Sequence, residues 1–388
     1  MSTTATGTPS GAESAERWEP APTLPGAAYW SHETYEQERE RIFFADWFCV
    51  GRAEEINGPS DYLTSDVAGE SIIVVRTEVG AIRAFYNVCR HRGTKLCDDG
   101  PGHAKSGVFK CPYHAWTYST DGTCVGTPNV RADEWFDRSR FTLWQVAVDT
   151  WDGFIFVNLS DSPEPLADKL AREPDRPGQF AHYGIGDLRI GARITYEVAA
   201  NWKILIENYN ECLHCPQVHP ELVSLVPLYR KGRVEEDPES WGVHLADGVT
   251  SFTMTGTSDH PRLPGISDED ARCYYGAHVF PNLTLDLTAD CVVGGYMYPV
   301  APDRTRCVED FLFRQETIAD PAFDPSDLVE FGTLVSRQDQ EVCEREQLGV
   351  RSRAYRNGGV YPWADRLAYW FNEYYLERMR AGDGAARR

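Results

Sequence analysis

The chain has 388 residues, of which 42% are hydrophobic and 25% charged, and its formal net charge is −21. The negative charge argues against binding to nucleic acids or anionic membranes, because phosphate contacts need a basic surface, and no apolar run approaches the roughly eighteen residues of a membrane span. The length exceeds that of a usual single domain, so two hydrophobic cores are expected.

Residues 1–22 are expected to form a disordered tail. The first twenty are rich in Ser, Thr, Ala, Gly and Glu, and they lack the basic start and apolar run of a signal peptide, which predicts a cytoplasmic protein. The eleven cysteines follow no repeating framework. They therefore predict free thiols and metal ligands in a reducing compartment.

A small antiparallel β domain is predicted over residues 45–162. The β-branched runs between Ile72 and Val88 flank the turn Val79-Gly80, and further turn signals occur at 120–122 and 151–153. This segment also contains Cys89-x-His91 and, after nineteen intervening residues, Cys111-x-x-His114. The pattern points to a metal centre within a β domain.

Two thiolates and two imidazoles at these intervals can bind a [2Fe–2S] cluster, with two cysteines on one iron and two histidines on the other. A Cys2His2 zinc site is the alternative, but a zinc finger usually presents a cysteine pair and then a histidine pair. The segments 89–93 (CRHRG) and 111–116 (CPYHAW) resemble the two ligand loops of a Rieske domain, as found in Rieske non-haem iron oxygenases. Such a cluster carries single electrons.

A second group of ligands follows a Pro-rich linker at 163–177 and a strand-like run at 190–198. His214 and His219 are candidates for two arms of a two-histidine, one-carboxylate site that leaves positions open on ferrous iron. Glu207, Glu211 and His214 are spaced by four and three residues, which predicts one face of a helix. Because Pro216 breaks the helical ladder, His219 is expected beyond a bend, turned back towards His214.

The third arm must be a carboxylate. Strands are predicted near 273–280, 284–287, 292–298 and 306–313. A helix is predicted after them, from Asp324 to Gly349, because this segment starts with a proline and acidic residues and ends at a glycine. Asp339 falls on the apolar stripe of this helix, and a buried charge is normally paired or bound to metal. Asp339 is therefore the predicted ligand, with a salt bridge to Arg337 or Arg345 as the alternative. The weaker candidates are Asp286, Asp290 and Glu316.

The chain resembles the catalytic domain of Rieske oxygenase alpha subunits at its Asn201-Trp202-Lys203 start, its Glu211-x-x-His214-x4-His219 core and its segment 338–344 (QDQEVCE). The resemblance implies an α+β protein with a Rieske domain at 45–162. It also implies a helix-grip catalytic domain formed by 23–44 and 178–388, with an antiparallel sheet and long helices. In this family Glu211 would be the bridging acid between an iron-ligand histidine and the Rieske histidine of a neighbouring subunit in a homotrimer.

The resemblance further implies an enzyme that uses O2 and receives electrons from NAD(P)H through a separate ferredoxin or flavin-containing reductase. No Gly-rich dinucleotide fingerprint is present in the sequence. Arg90, Arg92 and Lys95 are predicted to form a basic spot on which this donor docks. The alternative is that these side chains pair internally with acids.

Glu at position 211 is similar to the branch that oxidises quaternary ammonium compounds such as choline, carnitine, glycine betaine and stachydrine, although that branch often has Tyr where this chain has Leu213. Hydroxylation of a methyl group on a quaternary or tertiary amine, leading to N-demethylation, is therefore the preferred hypothesis. The rivals are ring hydroxylation of an aromatic acid and a pure electron carrier. The aromatic residues expected in the pocket walls are Trp241, Phe252, Tyr274, Tyr275, Phe280, Tyr296 and Tyr298.

Overall fold

The computed structural model describes residues 19–128, 130–131, 136–233 and 242–385. Contacts divide them into two compact units, one spanning Arg39–Lys169 and the other joining residues 19–38 to residues 170–385. The expected tail lies largely outside the described residues, but its last two residues, Ala21–Pro22, form a short strand. Within the described part of the chain, no helix is long and apolar enough to cross a membrane.

Strand β1 (Ala21–Pro22) and helix α1 (His32–Glu38) come first. The strands of the unit Arg39–Lys169 are β2 (Phe48–Arg52), β3 (Asp61–Val67), β4 (Glu70–Arg76), β5 (Ile82–Tyr86), β6 (Pro101–His103), β7 (Val108–Lys110), β8 (Thr117–Ser119), β9 (Cys124–Gly126), β10 (Gln145–Trp151) and β11 (Phe154–Asn158).

These strands form an antiparallel sheet in the order β2-β11-β10-β5-β4-β3-β6 and a small sheet in the order β7-β8-β9. The predicted turn at Val79-Gly80 joins β4 to β5, and Gly80 has a φ of 85°, which glycine adopts without strain. Side chains of both sheets pack together, among them Phe85, Phe109 and Tyr118. The predicted small β domain is confirmed.

The remaining elements are α2 (Leu166–Leu170), β12 (Leu188–Val198), α3 (Trp202–Tyr209), α4 (Cys215–Val218), α5 (Pro220–Leu225), β13 (Val243–His244), β14 (Cys273–Val279), β15 (Leu283–Leu287), β16 (Val292–Ala301), β17 (Arg304–Arg314), α6 (Gln315–Ile318), α7 (Ser326–Val350), β18 (Val360–Tyr361) and α8 (Arg366–Ala385). Helix α2 lies within the segment expected to be a linker.

The second unit is an antiparallel sheet in the order β12-β17-β16-β15-β14-β13, with α7 against β12 and α3 against both long helices, α7 and α8. Helix α7 begins two residues later and ends one residue later than predicted, and Pro325 is its N-cap residue. An antiparallel sheet with packed helices confirms the α+β class.

Candidate metal centres

The two cysteine and histidine loops of the unit Arg39–Lys169 have the same backbone geometry. The N–H of Gly93 donates to the carbonyl of Cys89 at 3.0 Å, and the N–H of Ala115 donates to that of Cys111 at 3.1 Å. Each cysteine N–H in turn donates at 2.8 Å to a carbonyl five residues on, that of Thr94 or Trp116. Gly93 and Ala115 both have positive φ angles, 74° and 57°, so each loop turns back on itself at the fourth residue after its cysteine.

These loops bury the thiols and leave the imidazoles nearer the surface. Cys89 and Cys111 are 1% and 2% exposed, and their side chains are within hydrogen-bonding contact. The rings of His91 and His114 lie 4.7 Å apart between centroids, and His91 stacks on Trp116 at 4.8 Å. Two paired thiols facing the core and two paired imidazoles facing outward are a donor set that fits a cluster with mixed ligation.

Polar groups surround the cysteine sulfurs. The Tyr118 hydroxyl lies 3.3 Å from the Cys89 sulfur and accepts the Arg90 N–H at 3.0 Å. Burial raises the pKa of Cys111, but the N–H groups of His114 and Tyr113 outweigh it and hold that pKa below the usual value. The loop of Cys111 therefore favours the thiolate, which is the form that binds iron, whereas burial raises the pKa of Cys89.

The basic residues next to the ligands are engaged within their own unit. Arg90 donates to the carbonyl of Thr142 and lies 4.1 Å from the centre of the Trp144 ring. Lys95 pairs with Asp99 at 2.6 Å, whereas Arg92 is exposed and lies 5.5 Å from the Tyr113 ring. Of the three, Arg92 remains the most available for docking.

The helix expected to carry Glu207, Glu211 and His214 on one face is shorter than predicted. Asn201 caps α3 by accepting the N–H of Lys203 at 2.9 Å, and the helix ends at Tyr209. Glu207 is buried on α3, where it accepts a hydrogen bond from Tyr29, while Glu211 and His214 lie in the turn that follows. The prediction of a common helical face was therefore wrong. The reason is local: the N–H of Asn210 is shared among three carbonyls, which closes the last turn of the helix.

The turn nevertheless keeps Glu211 against His214. Oε1 of Glu211 lies 2.5 Å from Nδ1 of His214, and Oε2 accepts the N–H of Leu213. On the other ring nitrogen of His214, the amide of Asn208 lies at 3.4 Å. Leu213 itself is 44% exposed. Two neighbours, Glu211 and Asn208, thus fix the orientation of one imidazole.

His214, His219 and Asp339 converge. His219 lies at the junction of α4 and α5, and its ring centroid is 5.1 Å from that of His214. Oδ1 of Asp339, on α7, is 2.9 Å from Nε2 of His219 and 3.4 Å from Nε2 of His214. Two imidazole nitrogens and a carboxylate oxygen around one point fit a divalent iron ion. Asp339 makes no described contact with Arg337 or Arg345.

The electrostatics of this group favour a bound cation. Burial alone would raise the pKa of Asp339, but hydrogen bonds from His214 and His219 lower it below its ordinary value. Burial lowers the pKa of His214. The carboxylates of Asp339 and Glu211 raise this pKa by more, so that the net result is an increase to about 9. Protons and metal ions compete for the same nitrogen, so the site attracts positive charge.

Cys212 and Cys215 form a disulfide with a Cα–Cα distance of 5.0 Å. The prediction of free thiols is therefore wrong for these two cysteines. The turn after α3 brings the two Cα atoms within the range that a disulfide spans. The Cys215 sulfur also lies 3.8 Å from Nε2 of His214.

A cavity of about 240 Å³ adjoins His214, His219 and Asp339. Of the aromatic residues expected in its walls, Phe252, Tyr274 and Tyr296 line it, whereas Tyr275, Phe280 and Tyr298 pack elsewhere, and Trp241 lies outside the described residues. The aromatic wall residues that the sequence reasoning missed are Tyr196, Tyr209, Tyr229, Phe311 and Phe331.

The weaker carboxylate candidates lie away from the three converging residues. Asp286, on β15, faces the cavity and accepts hydrogen bonds from Tyr274 and Tyr209. Asp290 is buried against Ser258 and Thr288, and the side chain of Glu316 is 74% exposed beside Arg314.

Known protein families match both units. Residues 46–148 match the Rieske [2Fe-2S] domain, and residues 185–381 match the catalytic domain of the ring-hydroxylating alpha subunit. The carnitine monooxygenase oxygenase subunit of Acinetobacter pittii (strain PHEA-2) is 32% identical over 340 residues, covering 87% of each chain. The glycine betaine monooxygenase oxygenase subunit of Chromohalobacter salexigens is 31% identical, covering 92% of this chain and 87% of the relative.

A solved quaternary ammonium Rieske monooxygenase, described in connection with carnitine oxidation by gut microbiota, superposes with a TM-score of 0.77 at 27% identity, covering 94% of this chain and 97% of that one. The predicted resemblance is confirmed. The chain belongs to the Rieske non-haem iron oxygenases as an oxygenase alpha subunit, with a [2Fe–2S] Rieske domain, a mononuclear iron catalytic domain and a separate reductase as its source of electrons.

Proposed function

We propose that this oxygenase hydroxylates a methyl group on a quaternary or tertiary ammonium nitrogen and so causes N-demethylation. The observation that carries the proposal is the convergence of His214, His219 and Asp339 at the wall of an aromatic-lined cavity. The names of the relatives, carnitine and glycine betaine monooxygenase subunits, support the ammonium substrate.

In this proposal His214, His219 and Asp339 hold the ferrous ion, and Cys89, His91, Cys111 and His114 hold the [2Fe–2S] cluster. Bound iron supplies oxygen activation and attack on a C–H bond. The chain's own residues orient the two proposed histidine ligands: Gln338 fixes the ring of His219, and Glu211 fixes the ring of His214. Glu211 also serves as the acid that links this histidine to the Rieske histidine of a neighbouring subunit.

The reaction balances with one molecule of O2, two electrons and two protons. One oxygen atom enters the methyl C–H bond to give a hydroxymethyl group on nitrogen, and the other leaves as water. The hydroxymethyl ammonium then loses formaldehyde and a proton, which breaks the C–N bond. The electrons come from NAD(P)H through a ferredoxin or flavin-containing reductase.

Iron counting tests the two-centre assignment. We expect three irons per chain in the intact protein and two in His214→Ala, whose cluster spectrum should be unchanged because His214 lies outside the Rieske unit. A pure electron carrier would hold two irons in both proteins and consume no oxygen. Incubation with betaines, with choline and with benzoates then separates N-demethylation, which releases formaldehyde, from ring hydroxylation, which gives diols or phenols.

We infer further that the protein is a cytoplasmic homotrimer, in which the cluster of one subunit serves the iron of the next, and that the donor docks beside the cluster. Light scattering of the purified protein tests the first inference. Arg92→Glu should slow reduction of the cluster by the donor, since Arg92 is exposed whereas the exposed Lys95 is paired with Asp99. Unchanged reduction by the donor would exclude this docking position.

A further inference from the structure

Asp286 and Glu309 are two carboxylates of the sheet that face the cavity, in addition to Asp339 and Glu211. Asp286 on β15 and Glu309 on β17 both lie on the cavity face of the sheet, because Asp286 pairs with Val293 and Glu309 pairs with Gly295 on the intervening strand β16. Strands two apart in a sheet are separated by roughly 10 Å. Of the two β16 residues between the acids, Val293 has a side chain and Gly295 has none, and all four residues line the cavity.

Hydroxyl groups, not cations, stabilise both carboxylates. Asp286 accepts from the Tyr274 hydroxyl and from that of Tyr209 at 3.2 Å. Glu309 accepts from the Tyr196 hydroxyl and from Ser336 Oγ at 2.8 Å. A hydroxyl donates a hydrogen bond but supplies no positive charge to balance an ionised carboxylate.

The described lining residues of the cavity include no lysine or arginine. The only basic side chains among them are His214 and His219, which the proposed function assigns to iron. Residues 234–241, which the structure leaves undescribed, contain no Lys, Arg or His in their sequence. Burial raises the pKa of Asp286 to about 6 and that of Glu309 to about 7, as expected for acids that no cation compensates.

The aromatic wall stands next to these acids. The Phe252 ring lies 4.9 Å from that of Tyr274 and 5.8 Å from that of Phe331, between centroids. The Tyr274 hydroxyl donates to Asp286, so one side chain belongs to both the aromatic surface and the acidic one. An ammonium group against these rings would gain cation–π attraction and charge attraction at the same place.

We propose that Asp286 and Glu309 determine substrate charge, so that the enzyme selects an ammonium compound with a net positive charge and no carboxylate of its own. The proposal rests on the proposed function and narrows it. In glycine betaine the carboxylate lies one carbon from the nitrogen and would enter a cavity that carries Asp286, Glu309 and Glu211 and whose described lining has no lysine or arginine to pair with it. Burying that charge without a partner is costly. A choline-like ammonium alcohol has no such group.

Equilibrium binding to the full-length, iron-loaded protein tests this inference without turnover. Isothermal titration uses choline, glycine betaine, and 3,3-dimethylbutan-1-ol, which has the shape of choline but no charge. We expect choline to bind at least about tenfold more tightly than either of the others, because only choline combines the ammonium group with the absence of a carboxylate.

The variants locate the effect. Asp286→Asn and Glu309→Gln should each weaken choline binding by about tenfold and leave the binding of the neutral alcohol unchanged, since they remove charge and keep shape. Asp268→Asn makes the same change in net charge at an exposed acid outside the cavity and should alter the binding of neither choline nor the neutral alcohol. Circular dichroism of each variant verifies folding.

Three results would overturn the proposal. Glycine betaine could bind as tightly as choline, the Asp286→Asn and Glu309→Gln variants could lose affinity for choline and for the neutral alcohol equally, or choline could fail to bind at all. Failure of the proposed function is a separate outcome. It would appear as a missing third iron or as turnover without formaldehyde, neither of which depends on which ammonium compound binds.

Discussion

Nδ1 of His219 lies 2.8 Å from the side-chain oxygen of Gln338, and Nε2 of the same ring lies 2.9 Å from Asp339, the next residue of α7. The Gln338 amide donates in turn to Glu221 at 3.0 Å. An acceptor on Nδ1 holds the proton there and leaves the lone pair of Nε2 for a metal ion. One turn of α7 thus supplies both the proposed carboxylate ligand and the group that sets the tautomer of a histidine ligand.

Gln338→Ala should weaken iron binding at the mononuclear site by about 10- to 100-fold, because loss of the group that orients a ligand has an effect of this size. The measurement is iron retained per chain after dialysis against a graded chelator. Arg337→Ala, at the exposed neighbouring position of the same helix, is the matched control and should retain iron as the wild type does. Equal retention in both variants would contradict a role for Gln338.

Tyr118→Phe should lower the reduction potential of the cluster. The Tyr118 hydroxyl lies 3.3 Å from the Cys89 sulfur, and a donor to this sulfur stabilises the more negative, reduced form. A difference of about 1 kcal/mol between the two redox states corresponds to a decrease of about 40 mV for a one-electron couple. Redox titration of the visible spectrum measures it. Tyr113→Phe removes an exposed hydroxyl nearby and should leave the potential unchanged.

The matched turns at Gly93 and Ala115 predict opposite effects of exchanging the two residue types. Ala115 has a φ of 57°, which disfavours a residue with a Cβ atom, so Ala115→Gly should be neutral or stabilising by up to about 1 kcal/mol. Gly93→Ala should destabilise by about 1 kcal/mol through backbone strain alone, since an added Cβ meets nothing within 4 Å. Thermal unfolding of the cluster-loaded protein, monitored through the loss of cluster absorbance, compares the two variants. Destabilisation by both substitutions would show that side-chain packing outweighs backbone preference here.

The sequence predicted the elements whose signals are local. Helix α7 was predicted because Pro325 and neighbouring acids mark its start and an apolar stripe runs along it. The residues proposed as iron ligands could be named because histidines and a carboxylate on a buried stripe rarely lack a polar partner. Helix α3 was predicted too long: the spacing of Glu207, Glu211 and His214 matches a helix, but the chain turns after Tyr209 and still brings Glu211 to His214.

The cavity walls depend on tertiary structure and were predicted less well. Tyr274 and Tyr275 are adjacent on β14 and point to opposite faces, so only one reaches the cavity, and the sequence does not state which face is inward. Tyr196, Tyr209 and Phe331 come from three separate elements that meet only when the sheet and helices pack. The strand pairing that places Asp286 and Glu309 on one face was likewise not readable from either strand alone.

Glu207 gives a prediction for the pH dependence of stability. Glu207 is 8% exposed on α3, and its carboxyl accepts a hydrogen bond from the Tyr29 hydroxyl at 2.8 Å. Burial is the main cause that raises its pKa from 4.5 to about 8. The other groups that act on its charge are Glu346, Asn372, Lys203, Tyr361 and Tyr355.

Between pH 4.5 and about 8, folded Glu207 keeps a proton that the unfolded chain has lost. The folded state then binds more protons than the unfolded state, so the free energy of unfolding falls as pH rises through this interval, by on the order of a few kcal/mol. Glu207→Gln keeps the acceptor for Tyr29 and cannot ionise, so its stability should decline less between pH 5 and pH 9 than that of the wild type. Urea unfolding at a series of pH values measures the difference, with Glu341→Gln, an exposed position, as control. A variant whose stability follows the wild-type pH curve would mean that Glu207 is already ionised in the folded protein, with Lys203 as its counter-charge.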